Sequence, residues 1–78
     1  MSRDDLTKLK IELNDRLTEA EHDVDRLRRD VVRMVGLDAD NVDADELMVT
    51  SMRLVRAVDK LRLRREENQR ILNAMAGI

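Results

Sequence analysis

The stretch GLDADNVDADEL, residues 36–47, has the highest density of side chains that could do chemistry. It contains four aspartates: Asp38, Asp40, Asp43 and Asp45. Side-chain oxygens at close to alternate positions are typical of a calcium-binding loop. An EF-hand loop also needs glycine at its sixth position and glutamate at its twelfth, but counted from Asp38 these are Asp43 and Val49. The stretch therefore does not predict a metal site.

Other reactive groups are few. His22 is the single histidine and the chain has no cysteine, so no second imidazole or thiolate could share a metal ion with it. The sequence also offers no nucleophile paired with a base and no glycine-rich phosphate loop. We therefore expect no enzymatic activity and no cofactor.

The acidic stretch has a second interpretation, as the turn between two helices. Asp43 and Glu46 form a capping-box pattern, flanked by Val42 and Leu47 as a hydrophobic staple. Gly36 follows a helical pattern, at the position where a left-handed glycine commonly ends a helix, and Gly77 repeats this arrangement near the end of the chain. Two roles remain open for the aspartates: a helix cap, or an acidic tip that contacts a partner.

These boundary signals predict an all-α fold of two long helices in an antiparallel coiled-coil hairpin. The first helix should span about 3–35 and the second about 44–76, joined by an acidic turn at about 36–43. At 78 residues, the chain is expected to be a single helical-hairpin domain over 1–78. Two helices of equal length with a short connection favour antiparallel packing.

Apolar residues recur along both predicted helices with the spacing of a coiled-coil seam. In the first helix, eight of nine positions are apolar in the series 6, 10, 13, 17, 20, 24, 27, 31 and 34. In the second helix, six of nine are apolar in the series 47, 51, 54, 58, 61, 65, 68, 72 and 75. The polar exceptions Lys10 and Asn68 would face each other if facing residue numbers sum to 78. Such a polar layer would fix the register of the hairpin.

The apolar surface is wider than one neighbouring helix can cover. In the second helix, Met48, Met52 and Val55 lie beside the seam and extend the apolar arc to about 220°. Two hairpins could bury this surface in a four-helix bundle, so we expect a homodimer. The predicted oligomer interface comprises Val24, Leu27, Val31, Val32, Val35, Leu47, Met48, Met52, Leu54, Val55 and Val58.

Charge excludes some classes of partner. Fifteen basic and seventeen acidic groups nearly cancel, so nucleic acid is not an expected partner. Most charges are expected to form exposed i, i+4 pairs, for example Glu12 with Arg16 and Asp25 with Arg29. No apolar run approaches the length of a membrane span, and the first residues lack a signal-peptide core, so the expected compartment is the cytoplasm.

Parts of the sequence resemble two known families. LRRDVVRMVGL at 27–37 is similar to the end of the first helix in the sporulation aspartyl-phosphate phosphatases. Their identifying Ser-Gln-Glu-Leu-Asp segment is replaced here by Ser-Met-Arg-Leu-Val at 51–55, so that activity does not carry over. In outline alone, a long hairpin with an acidic tip resembles the transcription factors that enter the secondary channel of RNA polymerase.

These observations favour a small protein–protein interaction module, acting as scaffold, adaptor or inhibitor, with itself and one further protein as partners. The alternatives are a transcription regulator that contacts RNA polymerase through the acidic tip, and a bacterial or phage regulator that binds nucleic acid through its arginine-rich faces.

Overall fold

The protein is a hairpin of two long helices in the computed structural model, which describes residues 2–77. Helix α1 spans Arg3–Val35 and helix α2 spans Ala44–Ala76, and the two pack against each other. Between them lies a 3-10 turn, Ala39–Asn41. The hairpin measures 59 × 14 × 14 Å. The helices have the bounds that the capping pattern predicts, and the prediction of an all-helical hairpin is confirmed.

Both helices begin at side-chain caps. The hydroxyl oxygen of Ser2 accepts a hydrogen bond from the backbone N–H of Asp5 at 3.2 Å. At the start of α2, a carboxylate oxygen of Asp43 accepts from the N–H of Glu46 at 3.1 Å. Each cap satisfies one of the free N–H groups of a first turn. Local sequence therefore fixes where both helices start.

The helix ends differ from the prediction of left-handed glycines. Gly36 has φ −79° and Gly77 has φ −80°, both right-handed. Each glycine N–H continues the helical pattern, to the carbonyl of Val32 at 3.1 Å and of Asn73 at 3.2 Å. The predicted conformation is wrong because the chain leaves each helix through one more right-handed turn, which needs no positive φ.

The seam of α1 follows its predicted series. Leu6, Leu13 and Ala20 are buried, and the other six predicted positions are half-buried. None of the described side chains is completely enclosed. The core of the hairpin is therefore a single thin layer between two helices.

The seam of α2 departs from its predicted series. The members 47, 51, 54, 58, 61, 68 and 75 are buried or half-buried as expected. Beyond Leu61, however, Arg65 and Leu72 are exposed, and Arg64 and Ile71 take the half-buried positions instead. From Leu61 onwards, the positions 61, 64, 68 and 71 and the positions 61, 65, 68 and 72 both have the alternating spacing of a seam. The predicted series used Arg65 and Leu72, each one residue after the residue that is half-buried.

Ion pairs also differ in their spacing. Glu12 pairs with Arg16 at i, i+4 as predicted. Asp25 pairs with Arg28 at 3.5 Å rather than with Arg29. The side chains of Arg64 and Glu67 are only 22% and 27% exposed and lie 3.1 Å apart, whereas the other pairs are largely solvated. The solvated pairs each stabilise a helix by about 0.3–0.5 kcal/mol.

Candidate protein-interaction surface

Five large apolar side chains of the predicted interface remain exposed in the hairpin. They are between 51% and 62% exposed. We call this set the apolar strip: Val32, Val35, Met48, Met52 and Val55. All five lie in the half of the hairpin next to the turn.

The strip lies on one face of the hairpin. At about 100° per residue, the α2 members are rotated away from the buried stripe of α2 in the same sense as Val32 and Val35 are from that of α1. In an antiparallel pair, equal rotations from the seam lead to the same face. Both helices therefore contribute apolar side chains to the same face.

Two shallow grooves follow the same face towards the middle of the hairpin. One has a volume of about 360 Å³ and is lined by Leu54, Val55, Val58, Asp59 and Arg62. The other has a volume of about 370 Å³ and is lined by both helices: Glu21, Val24, Asp25, Arg28, Leu61 and Arg65. On this face, the surface is therefore apolar near the turn and carries both acidic and basic side chains towards the middle of the hairpin.

The remaining members of the predicted interface lie within the hairpin. They are half-buried between the two helices: Val24, Leu27, Val31, Leu47, Leu54 and Val58. Their main neighbour is the other helix of the same chain. Only their outer edges are available to a further partner.

The two residues of the predicted polar layer both lie at the seam, and no hydrogen bond joins their side chains. Lys10 and Asn68 are both half-buried. The side-chain oxygen of Asn68 is buried and accepts no hydrogen bond, so Lys10 does not donate to it. One turn away, the Nε of Arg64 is also buried without a partner. An unsatisfied buried polar group costs about 1–3 kcal/mol, so these two atoms reduce the stability of the seam.

The acidic turn displays its four aspartates to solvent. Asp38, Asp40, Asp43 and Asp45 are all exposed. Asp43 is engaged as the cap of α2, whereas Asp38 precedes the 3-10 turn without a side-chain hydrogen bond. Within residues 2–77, no group of three or more acidic or histidine side chains is placed to hold a metal ion.

His22 belongs to an exposed charged groove of about 600 Å³ along α1. The lining residues all come from this one helix: His22, Asp25, Arg26, Arg29, Asp30 and Arg33. Catalysis and tight small-molecule binding usually require a site that excludes water. A groove on the outside of a single helix does not exclude it.

Sequence reasoning missed several residues. Thr50 is 7% exposed and is the most buried polar residue of the seam, although the predicted series used its neighbour Ser51. Leu37 and Val49 add exposed apolar area near the turn, and Leu63 lies exposed further along α2. Thr50 is next to the predicted seam position Ser51, so including the residues beside each seam position would have found it.

No helix of the described residues is long and apolar enough to cross a membrane. No protein-family model matches the chain, and neither a curated protein nor a solved structure does. The class of protein that the fold defines is a two-helix hairpin with an exposed apolar strip.

Proposed function

We propose that the protein is a small non-enzymatic interaction module whose hairpins associate in pairs through the apolar strip. In the overlapping parts the two chains would form a four-helix bundle. The charged faces that remain outside would bind a second protein, as in a scaffold, adaptor or inhibitor.

The observation behind this proposal is the exposed strip itself. Burial of these half-exposed valine and methionine side chains would stabilise an association by about 25 cal/mol for each Å² of apolar surface removed from water. Single exposed apolar residues are ordinary, but five on one face form a patch of the kind that marks protein–protein contacts. Methionine adapts its shape to a partner surface, which suits such a contact.

The surface area of the hairpin supports the same proposal. The chain has a mass of 9.1 kDa and exposes 6060 Å². A folded monomer of this mass exposes about 4900 Å², so the hairpin has an excess of about 1200 Å². A standard protein–protein interface buries about 800 Å² on each partner. Pairing would therefore bring the exposed area close to that of an ordinary folded protein.

The test is a charge placed in the strip. Met52→Asp should convert the dimer into a monomer with reduced helix content, because the aspartate would be desolvated at the interface. The matched control is Leu63→Asp, which introduces the same charge at an exposed apolar position of α2 outside the strip. Light scattering and far-UV circular dichroism at micromolar concentration would measure both effects.

A fully helical wild-type monomer at that concentration would contradict the proposal. Equal loss of dimer in both variants would also contradict it, because the effect would then come from the added charge and not from the strip.

The exposed aspartates support a second candidate, regulation of transcription through the tip. Direct binding to purified RNA polymerase would distinguish it from the first. Under this second candidate, binding would be lost on changing Asp38 and Asp40 to Asn, while the fold and the oligomeric state stayed the same. Under the first, wild-type protein would not bind through the tip.

A further inference from the structure

Charge is distributed unevenly along the segment that contains the strip. Residues 34–52 contain five acidic groups and no basic group. Residues 53–65 contain six basic groups and one acidic group. The turn and the start of α2 are therefore strongly negative, and the middle of α2 is strongly positive.

The α2 part of the strip lies across this boundary. Met48 follows the acidic first turn, which includes the exposed Asp45 and Glu46. Val55 lies within the basic section, where Arg56 and Arg62 are exposed and Asp59, one turn beyond Val55, is the single acidic group. Met52 lies midway between the two ends. Read along α2, the net charge is negative up to Met52 and positive from Arg53 to Arg65.

Such a surface is complementary to a reversed copy of itself. If two copies packed α2 against α2 with their turns at the same end, the negative segments would lie side by side and repel each other. If one copy is reversed, the acidic end of each strip lies beside the basic end of the other. Opposite charges around an apolar centre favour the second arrangement.

We infer that a second copy of the chain packs against the strip in antiparallel orientation, α2 against α2, with the two-fold axis near Met52. This inference rests on the self-association proposed above. Met52 would contact its own counterpart, and Met48 would lie opposite the partner's Val55. A closed two-fold contact of this kind is self-complementary and stops at two chains.

The overlap would be confined to the halves of the hairpins next to the turns. Each hairpin is 59 Å long, and about twelve residues of α2 and turn, or about 18 Å, would extend beyond the axis on each side. The dimer would therefore be a rod of about 80 Å, whereas hairpins aligned in parallel would stay near 60 Å. The free ends of both hairpins would remain open for other contacts.

The absence of cysteine from the chain permits a direct test by single-cysteine crosslinking. A disulfide requires Cα atoms within about 7 Å of each other. In the antiparallel dimer, Met52→Cys should crosslink to itself under mild oxidation. Met48→Cys and Val55→Cys should not crosslink alone, because like positions would be about 10 Å apart along the axis. A mixture of these two variants should form the 48–55 disulfide. Leu63→Cys, outside the strip, is the control that should stay uncrosslinked.

Each outcome has a defined meaning when light scattering accompanies the crosslinking. Disulfides from 48 to 48 and from 55 to 55 would overturn the antiparallel orientation and leave self-association intact. A dimer without crosslinks in the strip would overturn the strip as the contact surface. A monomeric wild-type protein would overturn the proposed function together with this inference. The 48–55 disulfide and an 80 Å particle in small-angle scattering would support both.

Discussion

At the residue scale, identical side chains in the acidic turn have different roles. Asp43 accepts a hydrogen bond from the first turn of α2, and its charge lies at the positive end of that helix. Asp38 lies five residues earlier, is exposed and makes no side-chain cap hydrogen bond. Geometry, rather than residue type, separates an aspartate needed for stability from one available for contact.

Asp43→Ala is therefore expected to lower the free energy of unfolding by about 1 kcal/mol. The N–H of Glu46 would lose its partner, and the negative charge would be removed from the helix start. Urea unfolding followed by circular dichroism measures the change. Asp38→Ala is the matched control and should change stability by less than about 0.5 kcal/mol. Equal losses in the two variants would mean that the cap does not form in solution.

At the element scale, the seam is uneven along its length. Leucine and alanine are buried at Leu6, Leu13, Ala20 and Leu61. At the end away from the turn, Asn68 and Arg64 each bury a polar atom that has no hydrogen bond. Polar seam residues reduce stability and can specify which register two helices adopt. These two polar atoms therefore lower stability locally, at the same end of the hairpin as the buried Leu6 and Leu13.

Asn68→Leu should raise the free energy of unfolding by about 1–2 kcal/mol, because it removes an unsatisfied buried oxygen and adds apolar contact. Asn14→Leu makes the same change at an exposed position of α1. This control should raise stability by less than about 0.5 kcal/mol, through helix propensity alone. If Asn68→Leu is destabilising, the asparagine must have a hydrogen-bond partner in solution.

At the scale of the whole molecule, the hairpin is far from globular. Its radius of gyration is 17.5 Å, whereas a compact chain of this length has about 11.5 Å. Two helices share one thin layer of apolar contacts, and small chains have little stability to spare. A second copy would supply the second layer that most helical folds possess.

The melting temperature should consequently depend on protein concentration. For association-linked folding, a hundredfold rise in concentration adds about 2.7 kcal/mol per dimer. Shared between two chains, this corresponds to a rise on the order of 5 °C or more. Melts followed by circular dichroism over a hundredfold concentration range would show it, and Met52→Asp should lose the dependence. A constant melting temperature in the wild type would indicate a monomer that folds alone.

The sequence by itself determined the parts of this protein that depend on local interactions. Caps such as Ser2 and Asp43 act within one turn of the chain, so the letters around them are sufficient to place the helix starts. The seam of α1 was also predictable, because a single apolar series dominates that helix. The wide apolar surface in the half of the hairpin next to the turn was also predictable, from the positions of apolar residues around each helix.

Tertiary packing decided which of two equivalent series of α2 residues faces α1. In α2, the series Ser51, Val58, Arg65 and Leu72 and the neighbouring series Thr50, Ala57, Arg64 and Ile71 have almost the same polarity. Only packing against α1 selected the second series beyond Leu61, since the rotation of α2 about its axis depends on the shape of both helices. Packing also set the exposure of Met48, Met52 and Val55 at 51% to 61%, because one neighbouring helix can cover only part of the circumference of another.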